Sequence, residues 1–451
     1  MLTTSHVDHL THSERTHLQD VVSSLLEQAK QQGASATEID AYLAAGYCVN
    51  VRLGEVETVE YNRDKSLTIT VYMGQAQGSA SCTTLEPESL RQTLLAACEI
   101  AKVTQADPYA GLAEPELMAY QYPDLNLYHP WNLSVEQAIE LAIDCETQAL
   151  SHDKRIANSD GVSIATHEGF NIYGNSHGFI GHFPTTRHSI NCVLIAQDAA
   201  GMQRDYSYTT ARDPHELTSI KTLAKEAAEA TVNRLQPRRL KTGKVPVIFA
   251  AEVARGVIGH FVSAITGSSL YRQSSFLLNH LEKSIFPEHI QIIEQPHLLK
   301  ALGSSPFDNE GVRLYERELV KDGILKEYIL SSYSARKLGM RTTGNAGGIH
   351  NLSLQPGEKN LQQLLKLMDR GLLVTEVMGQ GVNIVTGDYS RGAVGFWVEN
   401  GEIQYPVEEI TIAGNLRDMF ANLACVANDV DMRGSIRTGS LLIEQMTVAG
   451  E

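Results

Sequence analysis

From Leu18 onward, Val21, Val22, Leu25, Leu26 and Ala29 recur at the spacing of one helical face, and Gly33 stands where a left-handed residue would close a helix. The pattern predicts an amphipathic opening helix. The period then changes to two. Val49, Val51 and Leu53 share one face, as do Leu67, Ile69 and Val71 after polar and glycine-containing turns, which predicts half-buried antiparallel strands. Leu90, Leu94, Leu95, Cys98 and Ala101 restore a helical stripe over residues 88–103. The first hundred residues thus read as an α+β unit.

Residues 104–130 hold four prolines (Pro108, Pro115, Pro123, Pro130) and little periodicity, so a linker and a domain boundary are expected there. Ser134 and Gln137 have the spacing of a capping box opening a helix through about residue 151. Residues 156–212 are rich in Gly, Ser, Thr and aromatics with short alternating runs, which predicts strands, and a helix follows over 215–234. Beyond Pro237 a basic cluster (Arg238, Arg239, Lys241) precedes the apolar run 245–251. Asp322-Gly323 and Asn400-Gly401 each separate two apolar runs and tolerate the positive φ of tight hairpin turns. The expected fold class is α+β: a mixed N-terminal domain (1–105), a linker and β-rich central region with helices (106–235), and a β-rich, barrel- or sandwich-like C-terminal domain (236–451).

Charge narrows the function. A formal net charge of −16 repels phosphate backbones and anionic lipid heads, so no direct nucleic-acid binding is expected. Six cysteines are scattered singly, without a CxxC pair, as small hydrophobes of a reducing compartment are. No run approaches the roughly 20 apolar residues that span a bilayer, and the polar N-terminus lacks a hydrophobic signal region. The expected address is the cytoplasm, with no membrane contact.

The residues that could carry chemistry are few. A zinc hydrolase helix places two His on one face with a Glu beside the first; only His167 and His215 precede a Glu, and neither has a second His four or five positions on. His177, His182 and His188 could converge on a metal from irregular backbone, but on an extended strand 177 and 182 face opposite ways. His6, His9, His12 and His17 read as a tail. The glycine-rich stretches 339–351 and 378–395 match no nucleotide cradle and are expected to permit tight turns or close approach of a peptide backbone. Gly174, Ser176 and Gly178 fit G-x-S-x-G, yet a strand or turn follows where a nucleophile elbow needs a helix, and Ser390 lacks even that frame. Asp388 and Arg391 could pair with each other or hold a substrate carboxylate.

Several strings resemble the TldD/PmbA family: GEVETVEYN (54–62), YGNSHG (173–178), SYSARKLG (332–339), GNAGGIHN (344–351) and the 39-residue run 378–416. The resemblance implies a two-part peptidase. A TldD subunit carries an HExxxH helix and a late cysteine as zinc ligands, and a second subunit, which these strings resemble, lacks them. In the implied register Ile258 stands for the first His, Gly259 for the general-base Glu, Ser263 for the second His, and the region around Ile436 for the cysteine. His260 survives in that helix without an assigned role.

No catalytic, cofactor-binding or metal-binding residue is therefore expected in this chain, and zinc is expected in a TldD-like HExxxH partner. The implied function is hydrolysis of small or unfolded peptides, in maturation or degradation, by the complex; a link to DNA gyrase would run through such peptides. Two alternatives stand beside it: a stand-alone peptide-binding or regulatory protein, as a homodimer when alone, and a self-sufficient metallopeptidase built on His177, His182 and His188.

Overall fold

In the computed structural model, which describes residues 10–450, the opening stripe becomes α1 (His12–Gln31), burying Leu18, Val22, Leu25 and Ala29. Its start is a capping box: Thr11 Oγ1 accepts the Glu14 N–H at 3.2 Å, and Glu14 accepts the Thr11 N–H at 3.0 Å. This cap draws the helix upstream of its apolar positions and corrects the tail reading for His12 and His17. His12 and His17 are exposed on α1, while His6 and His9 lie outside the described residues.

Next come β1 (Ala36–Arg52), β2 (Glu55–Met73), β3 (Ala76–Cys82), α2 (Pro87–Val103), α3 (Val135–His152), β4 (Ile156–Asn175), β5 (Ile180–Gln197), β6 (Met202–Ala211) and α4 (Ile220–Asn233). The strands form one antiparallel sheet in the order β3-β2-β1-β4-β5-β6. β1 is 17 residues long, about three times an ordinary strand, and its odd-numbered residues from Ile39 to Val51 are all buried. Ile39, Ala41 and Leu43 pack with α1 and α2. Tyr47, Val49 and Val51 pack with α3 and α4, so one strand face serves two cores. Leu53 is not on that face: it takes φ 52° in the turn to β2 and is exposed, because Leu53 and Gly54 are the two residues that reverse the chain.

This sheet also crosses the boundary expected at 105/106, since β1 pairs with β4 (Val49 opposite Ile164) over the proline-rich stretch. That stretch is strapped down instead of free: Met118 bridges to Val312, and Arg336 donates to the carbonyls of Tyr109, Gly111 and Leu112.

The remainder is β7 (Gly243–Phe249), α5 (Ala251–Ala264), α6 (Gly267–Tyr271), β8 (Ile292–Glu294), β9 (Arg317–Lys321), β10 (Ile324–Leu325), α7 (Ser332–Lys337), β11 (Leu352–Leu354), α8 (Leu361–Met368), β12 (Gly371–Met378), β13 (Asp388–Glu399), β14 (Glu402–Asn415), α9 (Leu416–Ala421), β15 (Leu423–Val426), β16 (Ile436–Arg437) and β17 (Leu441–Ala449). One sheet runs β14-β13-β12-β7-β17-β15, and β14 pairs back onto β17 (Ile412 opposite Val448), closing a barrel. At Gly395 the barrel wall is so tight that a Cβ would sit 1.9 Å from the Leu373 carbonyl oxygen. A smaller sheet, β10-β9-β8-β11-β16, packs beside it. Both hairpin dipeptides adopt positive φ at each residue: Asp322 51° and Gly323 73°, Asn400 54° and Gly401 71°. The α+β expectation with a barrel-like C-terminal region matches this architecture.

Candidate functional site

β7 runs out of the barrel into α5, whose first turn is pinned by the segment before β17. Ser440 Oγ accepts the Ala251 N–H at 3.1 Å and donates to Asp429 at 2.7 Å. Arg433 bridges this segment to the N-terminal sheet: it pairs with Asp431 (2.9 Å) and Glu252, donates to the Tyr208 carbonyl at 3.0 Å and lies over the Tyr208 ring. Arg255, one turn along α5, also faces Asp431 at 3.7 Å. α5 is thereby held rigidly between the barrel and the rest of the molecule.

Along α5, Ile258 is fully buried in the barrel core with Phe261. Gly259 turns toward β16, where a Cβ would lie 3.8 Å from Ile436 Cδ1. Ser263, one turn on, is exposed and returns its hydroxyl to the Gly259 carbonyl at 2.9 Å. His260 meets the Tyr389 ring edge-on at 5.9 Å, and burial, with the nearby Arg391 charge, pushes its imidazole below the usual range, toward the neutral form. The structure thus places Gly259 beside Ile436, while Ile258 points into the core and Ser263 is exposed.

The histidine trio does not converge. His182 and His188 lie on β5 six residues apart, roughly 20 Å along a strand. His188 spends both ring nitrogens, on Thr166 Oγ1 (2.9 Å) and the His129 carbonyl (2.8 Å). His182 packs against Phe170, and His177 is exposed with Nε2 3.2 Å from the Ala113 carbonyl. Ser176 Oγ accepts the Thr37 N–H at 3.0 Å, and the chain continues into β5, not a helix. Ser390 sits on β13 with no hydrogen bond to a histidine among the described residues. Asp388 accepts from Thr386 (2.7 Å) and Asn415 (3.2 Å), whereas Arg391 donates to the Met378 carbonyl, so these two do not pair.

Comparison with known proteins decides the family. Models described as PmbA/TldA metallopeptidase domain 1, central domain and C-terminal domain match residues 46–101, 128–235 and 242–450. A metalloprotease named PmbA from Escherichia coli O157:H7 is 50% identical over 439 residues, 97% of each chain. The chain belongs to the PmbA/TldD family. A crystal structure of a putative modulator of DNA gyrase from Bacteroides thetaiotaomicron superposes with a TM-score of 0.91 at 27% identity, covering 98% of this chain and 100% of that one. TldE from Thermococcus kodakarensis shares the fold, with a TM-score of 0.83 at 20% identity over 95% of this chain and 100% of the other. Among the PmbA/TldD relatives are also metalloproteases named as TldD homologues.

Zinc binds imidazole nitrogen, thiolate sulfur or carboxylate oxygen. The implied positions offer an isoleucine sealed in the core, a glycine, a serine hydroxyl bonded to its own helix and a second isoleucine. These residues do not fit zinc. Among the described residues, no group of three or more His, Cys, Asp and Glu is placed to hold a metal, and no helix is long and apolar enough to cross a membrane.

Two features of this region were not singled out by sequence reasoning. The first is the Arg433 bridge; the second is Arg437, which shares its cavity with Arg212 and residues 298–302. No local pattern marks either.

Proposed function

We propose that this chain is the zinc-less subunit of a cytoplasmic heteromeric metallopeptidase that cleaves small or unfolded peptides, with the hydrolytic zinc held by a TldD-like HExxxH subunit. The observation that carries the reading is the chemistry of the implied ligand positions: Ile258 is sealed in the core, Gly259 faces Ile436, and the Ser263 hydroxyl is bonded to its own helix, so none offers zinc an imidazole, thiolate or carboxylate. The family's metalloprotease names and its TldD members support hydrolysis by a complex. The net charge of −16 supports an indirect link to gyrase, through peptides.

The test has two stages. The chain is expressed alone and untagged, purified without chelators, and analysed for zinc and for hydrolysis of an unfolded peptide such as oxidised insulin B chain. It is then mixed with a TldD-like subunit, and assembly is followed by light scattering. Near-zero zinc, no hydrolysis alone and hydrolysis by the mixed complex are expected. About one zinc per chain, the stoichiometry of a single ligand set, or hydrolysis by the chain alone would sink the proposal. Peptide binding without any assembly would favour the stand-alone reading.

A further inference from the structure

Arg212 and Arg437 are both buried, at 8% and 9% exposure, and line one cavity of about 460 Å³ between β6, residues 298–302 and β16. Neither forms an ion pair among the described residues. Arg212 donates only to backbone carbonyls, those of Ala301 (3.0 Å), Leu302 (3.0 Å) and Thr186 (3.3 Å). The Arg437 guanidinium makes no hydrogen bond to any described residue, and its Nε is fully enclosed without a partner. The other two cations of the cavity are compensated: Lys300 by Asp213 (2.7 Å) and Glu216 (3.1 Å), Arg433 by Asp431 and Glu252.

A buried guanidinium is ordinarily paired, because its desolvation is costly without a counter-charge. This chain holds 53 acidic against 37 basic residues, yet it leaves two enclosed cations unneutralised beside an open cavity. No described residue supplies an anion to either guanidinium. Alternation along β16 separates this site from the α5 face: Ile436 reaches toward Gly259, and Arg437 points to the other side. A guanidinium fork matches carboxylate and phosphate alike. The rim, however, carries Leu299 and Met432, 67% and 51% exposed. An apolar rim suits the side chains that accompany a peptide carboxylate and gives nothing to a bare phosphate.

We infer that this cavity binds a carboxylate of a peptide ligand, with Arg437 making the contact and Arg212 lining the same cavity. The peptide class rests on the function proposed above. The test measures binding to this chain alone, so a failure of assembly or hydrolysis would appear in the mixing experiment and not here.

Three fluorescein-labelled peptides are titrated by anisotropy against the full chain: Ala-Ala-Leu-Ala-Leu as free acid, the same peptide as C-terminal amide, and the amide of Ala-Ala-Leu-Ala-Glu. At least one carboxylate-bearing peptide should bind ten-fold or more tighter than the plain amide, and which one does so assigns the carboxylate to a C-terminus or a side chain. Arg437→Met should abolish that gap without changing plain-amide binding, and Arg437→Lys should restore part of it. Arg437→Met should melt no lower than the parent, since it removes an unpaired buried charge. Leu299→Glu, at an exposed position that does not threaten folding, should weaken the same peptides several-fold by repulsion. Equal binding of acid and amide, a gap that survives Arg437→Met, saturation by inorganic phosphate with no peptide binding, or an Arg437→Met defect confined to assembly with the TldD-like subunit would each overturn the inference.

Discussion

Replacing Arg317 by Met tests the physical account of the GNAGGIHN string. Arg317, on β9, is 5% exposed and donates to Glu294 (2.7 Å), Glu327 (2.8 Å), the Tyr328 carbonyl (3.2 Å) and Asn345. Glu294, on β8 and equally enclosed, also accepts the His350 N–H at 2.6 Å and the Asn345 amide at 2.9 Å. Burial pushes the Glu294 carboxyl up, but the His350 hydrogen bond and the Arg317 charge outweigh it and hold the group below the usual carboxylate range. Arg317→Met strands that carboxylate in the interior, a loss of about 3–5 kcal/mol. The C-terminal unit spans residues 242–450, a size at which each kcal/mol moves the melting point by roughly 2–4 °C, so calorimetry should show a fall of about 6–20 °C. Glu294→Leu combined with Arg317→Met leaves no stranded charge and should recover at least about 2 kcal/mol relative to the sum of the single variants. A single variant within about 1 kcal/mol of the parent, or strict additivity in the double, would refute the reasoning.

Other perturbations test the barrel and the α5 face. Gly259→Ala adds a methyl whose nearest neighbour is Ile436 Cδ1 at 3.8 Å, so it should stabilise α5 by about 0.5–1 kcal/mol in urea unfolding; destabilisation would show that the gap beside β16 is not open. Gly395→Ala drives a Cβ to 1.9 Å from the Leu373 oxygen and should cost about 3 kcal/mol or more, seen as a lower melting point with Trp397 fluorescence as reporter. Burial, then the Glu310 charge, pushes the Asp308 carboxyl up to about 7 despite N–H donors from Glu310, Val312 and Ala346. The folded state then keeps a proton that the unfolded state loses near pH 4, so this contribution to stability is fully present below about pH 4 and is lost as pH rises to about 7. The urea-unfolding difference between parent and Asp308→Asn should shrink over that window, and a pH-independent difference would contradict the assignment.

What the amino-acid sequence determined by itself is written over a few residues at a time. The Leu90 to Ala101 stripe, the Ser134/Gln137 capping box and the two Gly-containing hairpin turns depend on periodicity and backbone preference, and each appears in the structure within a residue or two of its expected place, while the Leu18 to Ala29 stripe lies inside a helix whose cap starts it upstream. The family strings were equally local. Tertiary structure decided the rest, because its partners are distant in the chain. β1 joins β4 across the proline-rich stretch, β14 closes the barrel on β17, and Leu53 leaves the buried face because a turn falls on it. Ile436 comes to Gly259 across 177 residues (436 − 259), and Arg437 shares a cavity with Arg212 across 225 (437 − 212). Pairings over such separations leave no mark on local hydrophobic patterning, and an arginine's lack of a counter-charge is a property of everything packed around it. The α5–β16 contact and the Arg437 cavity both arise from such long-range packing, where burial, not residue type alone, decides what a side chain meets.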